Sequence, residues 1–374
     1  MRKIITTIAA TAAAVLVASP SSAVELIYGT GSGAKSKINI DAMEPYMAET
    51  TKASGGSITW KYLPGNQIVT IRTAINGLRD GLVDTGMVVP VYARKDLIQN
   101  NVIYDTLFLG GDDPVAATGA AHETIMLHCP SCVAEYKKNH SFFLASYGSS
   151  SQVLVCTKPV KTVAELNGLK IRATGPAQRL VQEWGAVPVG IPPQELTLAL
   201  ERGGIDCAVT ALNWMVSFGM HDVAKYVIDF PMGVSRGLAL IVVNRDSWKR
   251  LTPAQRKVLW DHAPMTSARA LVKSYIDLDN TYRTKIAATK GVQIVKGGAD
   301  FQKALDAVLE KEDAAIVTNI TKQGAKNAAE IVATYKKTLA KWRKFSQEEI
   351  KDDVDAYARV LKREIYDKLD PEKM

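Results

Sequence analysis

Hydrophobic positions along this chain recur in two alternating rhythms. Runs in which every second residue is apolar or β-branched predict strands, and apolar residues three or four apart predict helices. VELIYGT predicts a strand, KSKINIDAMEPYMAETTKAS a helix and SITWKYLP a second strand. NQIVTIRTAINGLRDG then predicts a helix and LVDTGMVV a buried strand. Strands and helices taken in turn imply an α/β fold with largely parallel pairing.

The unit returns downstream as AVPVGI (strand), PPQELTLALERGG (helix) and IDCAVTAL (strand). Both helices close on an arginine, then glycine, an apolar residue and aspartate: LRDGLVD at 78–84 and LERGGID at 200–206. The glycines suit the left-handed position that ends a helix. This repeat predicts two lobes of similar construction.

SFFLASYGSSSQVLVCTKPV places apolar runs on both sides of a polar patch at 148–152, which predicts a strand crossing between the lobes. YVIDFPMGVSRGLALIVVN, broken by Pro231 and Gly233, predicts a second crossing. Two crossings imply discontinuous domains and hinge closure around a cleft. Lobe one is expected over 24–147 plus about 233–274, and lobe two over 148–232 plus about 275–330, with helices at 331–374 bracing them. In LTPAQRKVLWDH, Thr252, Pro253 and Gln255 form a helix start with a capping box. Pro264 is expected to kink or break that helix, whose pattern otherwise continues to about Lys290.

The two ends and the charge narrow the class. MRKIITTIAATAAAVLVASPSSA has a basic start, a short apolar middle and small residues at its close, the layout of a cleaved secretory leader. The mature chain is expected to begin at Val24 and to lie in the periplasm. The net charge of +8, or +6 once Arg2 and Lys3 leave with the leader, is interleaved with acids along the chain. Nucleic-acid binders concentrate such charge, so no nucleic-acid partner is expected.

Chemistry-bearing motifs are scarce. Cys129 and Cys132 form a CxxC with no second ligand pair, so no zinc site is expected. In an oxidising compartment the four cysteines, with Cys156 and Cys207, point to structural disulfides or burial, the pairing being left open. The five histidines form no HExxH, and no GxSxG occurs. GTGSGAKS lacks the Gly-Lys pair of a phosphate loop, though Thr30 and Ser32 stand where backbone N–H groups line an anion site.

In LNGLKIRATGPAQRL a strand ends on Arg172 and Gly-Pro opens a helix. Open α/β sheets bind ligands at the ends of such strands, and a guanidinium matches a carboxylate with two parallel hydrogen bonds.

A leader, KPVKTVAELNGLKIRATG, a helix and ALERGGIDCAVT together resemble the DctP-type solute-binding proteins of TRAP transporters. The resemblance covers nearly all of the mature chain. It is strongest over Lys158–Tyr226, and includes GLRDGLVDTGMVV and LIVVNRDSWKRLTPAQRKVLWD. It implies a two-lobed periplasmic binding protein fold with a hinge and a long helix spanning both lobes. It also implies a binder without cofactor or catalysis, which captures a small organic acid and delivers it to the TRAP membrane permease. The arginine of the KIR motif, which pairs with the ligand carboxylate in that family, maps onto Arg172.

Where many members place Asn or Trp four residues past the aspartate, this chain has Thr210, with Asn213 and Trp214 just beyond. Thr210 is expected to face the ligand, assisted by Asn213 or Trp214. Gln152 or Ser151 stands where dicarboxylate binders carry a second arginine, which favours a monocarboxylate. From lobe one, Asn66 and the run Met87–Val89, with Val88 and Val89, are candidate cleft contacts. The alternative is an exported hydrolase or lyase on an anionic substrate, which requires an activated nucleophile or a paired acid and base. A solute sensor docking on a receptor would read identically in sequence.

Overall fold

The computed structural model describes residues 23–109 and 111–374; the predicted leader, but for Ala23, lies outside the described residues. The first strands are β1 (Val24–Gly29), β2 (Ile58–Leu63), β3 (Thr85–Val88) and β4 (Ser141–Tyr147). Then follow β5 (Val153–Cys156), β6 (Lys170–Arg172), β7 (Val187–Val189) and β8 (Cys207–Thr210). The last are β9 (Tyr226–Asp229), β10 (Leu238–Asn244) and β11 (Gln293–Lys296).

They form two sheets, in the orders β2-β1-β3-β10-β4 and β11-β9-β5-β8-β6-β7. Each sheet is parallel except for one strand that runs against both its neighbours, β10 in the first and β5 in the second. Those two strands are the ones delivered by the crossings. The crossings themselves are zipped together: Gln152 N–H donates to Gly233 O at 2.8 Å, Met232 N–H to Gln152 O at 2.8 Å, and Ser149 N–H to Ser235 O at 2.9 Å. The hinge of this two-lobed α/β fold is thus a short two-stranded ribbon.

The repeated motif has repeated geometry. Asp84 exchanges two bonds with Ile27 of β1, and Asp206 exchanges the same two with Lys170 of β6. Gly81 and Gly203 both take positive φ, 72° and 69°, where a side chain would be strained. This register makes Gly29, two past Ile27, the counterpart of Arg172, two past Lys170. A Cβ on Gly29 would come within 2.6 Å of Val83, so lobe one has no room for an arginine there.

In the second sheet, alternation sends Val153 and Val155 to one apolar core and Leu154 and Cys156 to the other. Cys156 is disulfide-bonded to Cys207 across β5 and β8, and Cys129 to Cys132 at a helix start. The helix Pro253–Leu271 begins with the expected Thr252–Gln255 capping box. It is not broken at Pro264, which is buried. Packing of Leu259, Trp260 and Ala263 into the first core offsets the ~3 kcal/mol a mid-helix proline costs. Helical turns continue to Thr289, where Tyr282 and Ala287 enter the second lobe's core, so this helix spans both lobes. The C-terminal helices Ala328–Lys344 and Val354–Glu364 bury Tyr335, Trp342 and Tyr357 in the first lobe's core.

The helix expected over 66–81 is reduced to Ala74–Arg79. Thr73 Oγ1 accepts the Thr70 N–H at 2.9 Å and Asn66 is left-handed, φ 68°. Such local side-chain bonds compete with helix formation.

Candidate functional site

Arg172 ends β6 at the cleft, 2 % exposed. Its Nε donates to Ile191 O at 3.1 Å, Nη1 to Val209 O at 3.0 Å and Nη2 to Tyr92 Oη at 2.9 Å. The guanidinium carbon lies 5.2 Å from the Trp214 ring centroid. All three acceptors are neutral, and a guanidinium has five N–H donors, so one N–H on each Nη is unspent. An unpaired buried cation is costly, and an anion beside it recovers much of that cost.

A cavity opens in front of this group between the two sheets. Its aromatic wall is Tyr92, Tyr104, Tyr147, Tyr275 and Trp214. Neutral polar groups come from Ser149, Gln152, Thr174 and Ser235, and apolar ones from Ile71, Val89, Pro193 and Leu238. No carboxylate, histidine or lysine lines it, and Arg172 is its only cation among the described residues. Burial raises the phenols of Tyr104, Tyr147 and, to about 12, Tyr275, so each is a neutral hydroxyl at physiological pH.

The other fully buried arginine, Arg236, serves as a contrast. It donates to the carbonyls of Val234, Leu107 and Leu109 and to the Tyr335 hydroxyl, and it is not in the lining of this cavity. Arg236 braces the second crossing, whereas Arg172 has donors left over at an opening.

The expected residues divide by pleat and position. Arg172, Gln152, Trp214 and Val89 line this cavity; Gln152 Nε2 donates to Ser235 Oγ at 2.8 Å. Ser32, Met87 and Asn213 line a small adjoining pocket that shares Ile71, Tyr147, Pro193, Trp214 and Tyr275.

The remaining ones lie elsewhere. Val88 alternates away from Val89 into the first core and pairs with Ala239. Ser151 alternates away from Gln152 and bonds Asp112 on the far side of the crossing. Thr210 is buried in register with Val153, its hydroxyl on Ala211 O. Thr30 is buried under Met87, bonding the Ser32 N–H, and Asn66 is exposed in its turn.

The tyrosines, Thr174, Ser149 and Ser235 were not anticipated. One of them had a signal: Tyr92 stands eight residues past Asp84, as Trp214 stands eight past Asp206. The repeat thus sends one aromatic from each lobe onto Arg172.

Outside Tyr92 and Thr174 lies a wider, open pocket with Arg72, Arg94 and Arg179 on its rim. Arg94 pairs with Asp105 and Arg179 with Glu312, both at 2.8 Å. Arg72 is exposed and lies over the Tyr92 ring, 5.6 Å from its centroid.

Comparison with known proteins agrees with this architecture. A family model, "Bacterial extracellular solute-binding protein, family 7", matches residues 29–319. A solute-binding protein of Albidiferax ferrireducens is 22% identical over 308 residues, 79% of this chain and 84% of that protein. A marine-metagenome TRAP solute-binding protein specific for aromatic acids, solved with 3-hydroxybenzoate, superposes with a TM-score of 0.75 at 21% identity. That match covers 86% of this chain and 99% of the other. A TRAP periplasmic protein of Bordetella bronchiseptica, solved with mandelate, gives 0.69 at 23% identity over 85% and 99% of the two chains. The chain belongs to family 7 of the bacterial extracellular solute-binding proteins, the DctP-type receptors of TRAP transporters.

Proposed function

We propose that this protein is the periplasmic receptor of a TRAP transporter for a small, ring-bearing monocarboxylate. Arg172 pairs with the carboxylate, the lobes shut over it, and the closed form hands the solute to the membrane permease. The moving bodies are the two lobes, about 24–147 with 233–274 and about 148–232 with 275–309; the helix Glu312–Lys322, expected in the second lobe, goes with the first, whose core takes Ile316 and Ile320. The observation that carries the reading is Arg172 itself: a buried guanidinium with unspent donors and no carboxylate partner in the cavity. One cation favours one carboxylate, since a second would be buried unpaired. Five aromatic side chains favour a planar ring stacked or edge-packed among them. The 3-hydroxybenzoate and mandelate held by the structural relatives are acids of this kind.

A thermal-shift screen over aromatic, 2-hydroxy, 2-oxo and dicarboxylic acids tests the proposal, run on the wild type and on Arg172→Met. Stabilisation by ring-bearing monocarboxylates that vanishes in the variant supports it. A shift unaltered by the substitution refutes it.

A further inference from the structure

Asp279 is 1 % exposed, on the spanning helix, in the single α-helical turn Leu278–Thr281 between π-helical turns at Val272–Asp277 and Tyr282–Ile286. Wide turns of that kind gather at functional positions in helices. The carboxylate reaches inward to two other parts of the fold. It accepts the N–H groups of Leu212 and Asn213 and the hydroxyl of Ser150. Asn213 in turn donates from its side chain to Ser274 O at 2.7 Å. The backbone just ahead of Trp214 is therefore clamped to the helix from both sides.

Those partners belong to the ligand cavity and to the hinge. Trp214 is the ring over Arg172, and its Nε1 reaches Tyr275 Oη at 3.4 Å. Ser150 lies in the first crossing, two residues before Gln152 of the cavity wall. The cation nearest along the helix, Arg283, is engaged with Asp229 at 3.1 and 3.0 Å. Among the described residues Asp279 thus has no dedicated counter-ion. Its charge is met by the amides ahead of a short helix and by one hydroxyl, which is directional bonding and not simple neutralisation.

We propose that Asp279 is a positioning residue for the cavity: gripping the backbone before Trp214 and the first crossing at once, it fixes the Trp214 ring over Arg172 and ties that placement to the spanning helix. The proposal rests on the reading of the cavity as a carboxylate site. It assigns to a side chain outside the cavity a share of ligand affinity that passes through one named ring.

A double-mutant cycle on the mature chain tests it, with benzoate as the probe and calorimetry as the readout. Asp279→Asn is expected to weaken benzoate at least fivefold in the wild-type background and less than twofold in the Trp214→Phe background. Equal losses in both, or no loss in either, overturn the positioning role. If Asp279→Asn does not fold, Ser150→Ala removes one of the three clamping bonds and enters the same cycle with the same criteria. Arg172→Met separates the two readings. Benzoate binding lost there with a flat cycle leaves the carboxylate site standing and sinks Asp279's role. A wild type that ignores benzoate, or an Arg172→Met variant that binds it normally, overturns both.

Discussion

The hydroxyl of Tyr92, from the first lobe, accepts a hydrogen bond at 2.9 Å from Nη2 of Arg172, at the strand end of the second. The same hydroxyl lies 3.4 Å from the Ile191 carbonyl, to which it donates. With Tyr104 Oη and Thr174 Oγ1 at 2.9 Å, and Gln194 Nε2 on Gly31 O at 3.0 Å, it stitches the cleft shut. The residue proposed to hold the ligand is thus also a residue by which the lobes hold each other.

Replacing Arg172 by Met is expected to weaken ligand binding by about a hundredfold or more, since a buried charge pair loses one partner. The ligand-free protein should change little in stability, because removing an unpaired buried cation offsets the three hydrogen bonds lost with it. Calorimetry and thermal denaturation of the same samples check the two halves. A large drop in ligand-free melting temperature would recast Arg172 as a structural residue.

Tyr92→Phe keeps the ring under Arg72 and deletes both cross-cleft bonds of its hydroxyl, of which the 2.9 Å bond from Arg172 is the better formed. A net hydrogen bond of this kind contributes about 1 kcal/mol, so affinity should fall about fivefold. Closure without ligand should also become rarer, which small-angle scattering would register as a larger radius of gyration. Unchanged scattering and affinity together would show that the bond contributes nothing to closure.

Burial raises the Asp279 carboxyl to about 6, against the lowering pull of Ser150, Arg283 and the 212–213 amides. The folded protein therefore holds a proton that the unfolded chain releases from about pH 4 upwards. This contribution to stability is full below pH 4 and is lost as pH rises through about 6. Relative to Asp279→Asn, the wild type should lose up to about 3 kcal/mol between pH 4 and 7.5. Denaturant unfolding of both proteins across that range measures it. The difference isolates Asp279 from Asp112, Asp229, Arg283 and Asp352, which line the same recess and are common to both. A difference that grows in favour of the wild type with rising pH would contradict the assignment.

Arg72 stands on the rim outside Tyr92 with no carboxylate partner among the described residues. Reversing its charge with Glu should slow association of an anionic ligand about two- to tenfold at low salt, with little change in dissociation. Stopped-flow kinetics at two ionic strengths distinguish this from a direct contact, which would instead speed dissociation and keep its effect in salt.

The sequence by itself determined the elements and the ends of strands. Alternation marked VELIYG, a continuous apolar run marked LALIVVN, Thr252–Gln255 announced a helix start, and the paired Gly-apolar-Asp turns announced two similar lobes. These are local signals, set by backbone sterics and by hydrogen bonds only a few residues long. Arg172, Gln152, Val89 and Trp214 were legible for the same reason, each lying at or near a strand end or a crossing. The tertiary structure decided what surrounds the arginine. Tyr92, Tyr104, Tyr147 and Tyr275 are scattered over nearly two hundred residues and meet only because the crossings and the spanning helix close the cleft. Pleat decided that Gln152 and not Ser151, and Val89 and not Val88, face inward, since a shift of one residue turns a side chain to the opposite face. Asp279 carries no sequence mark at all: its place beneath Trp214 follows from how a long helix lies across two cores, and that is fixed by packing, not by any local pattern.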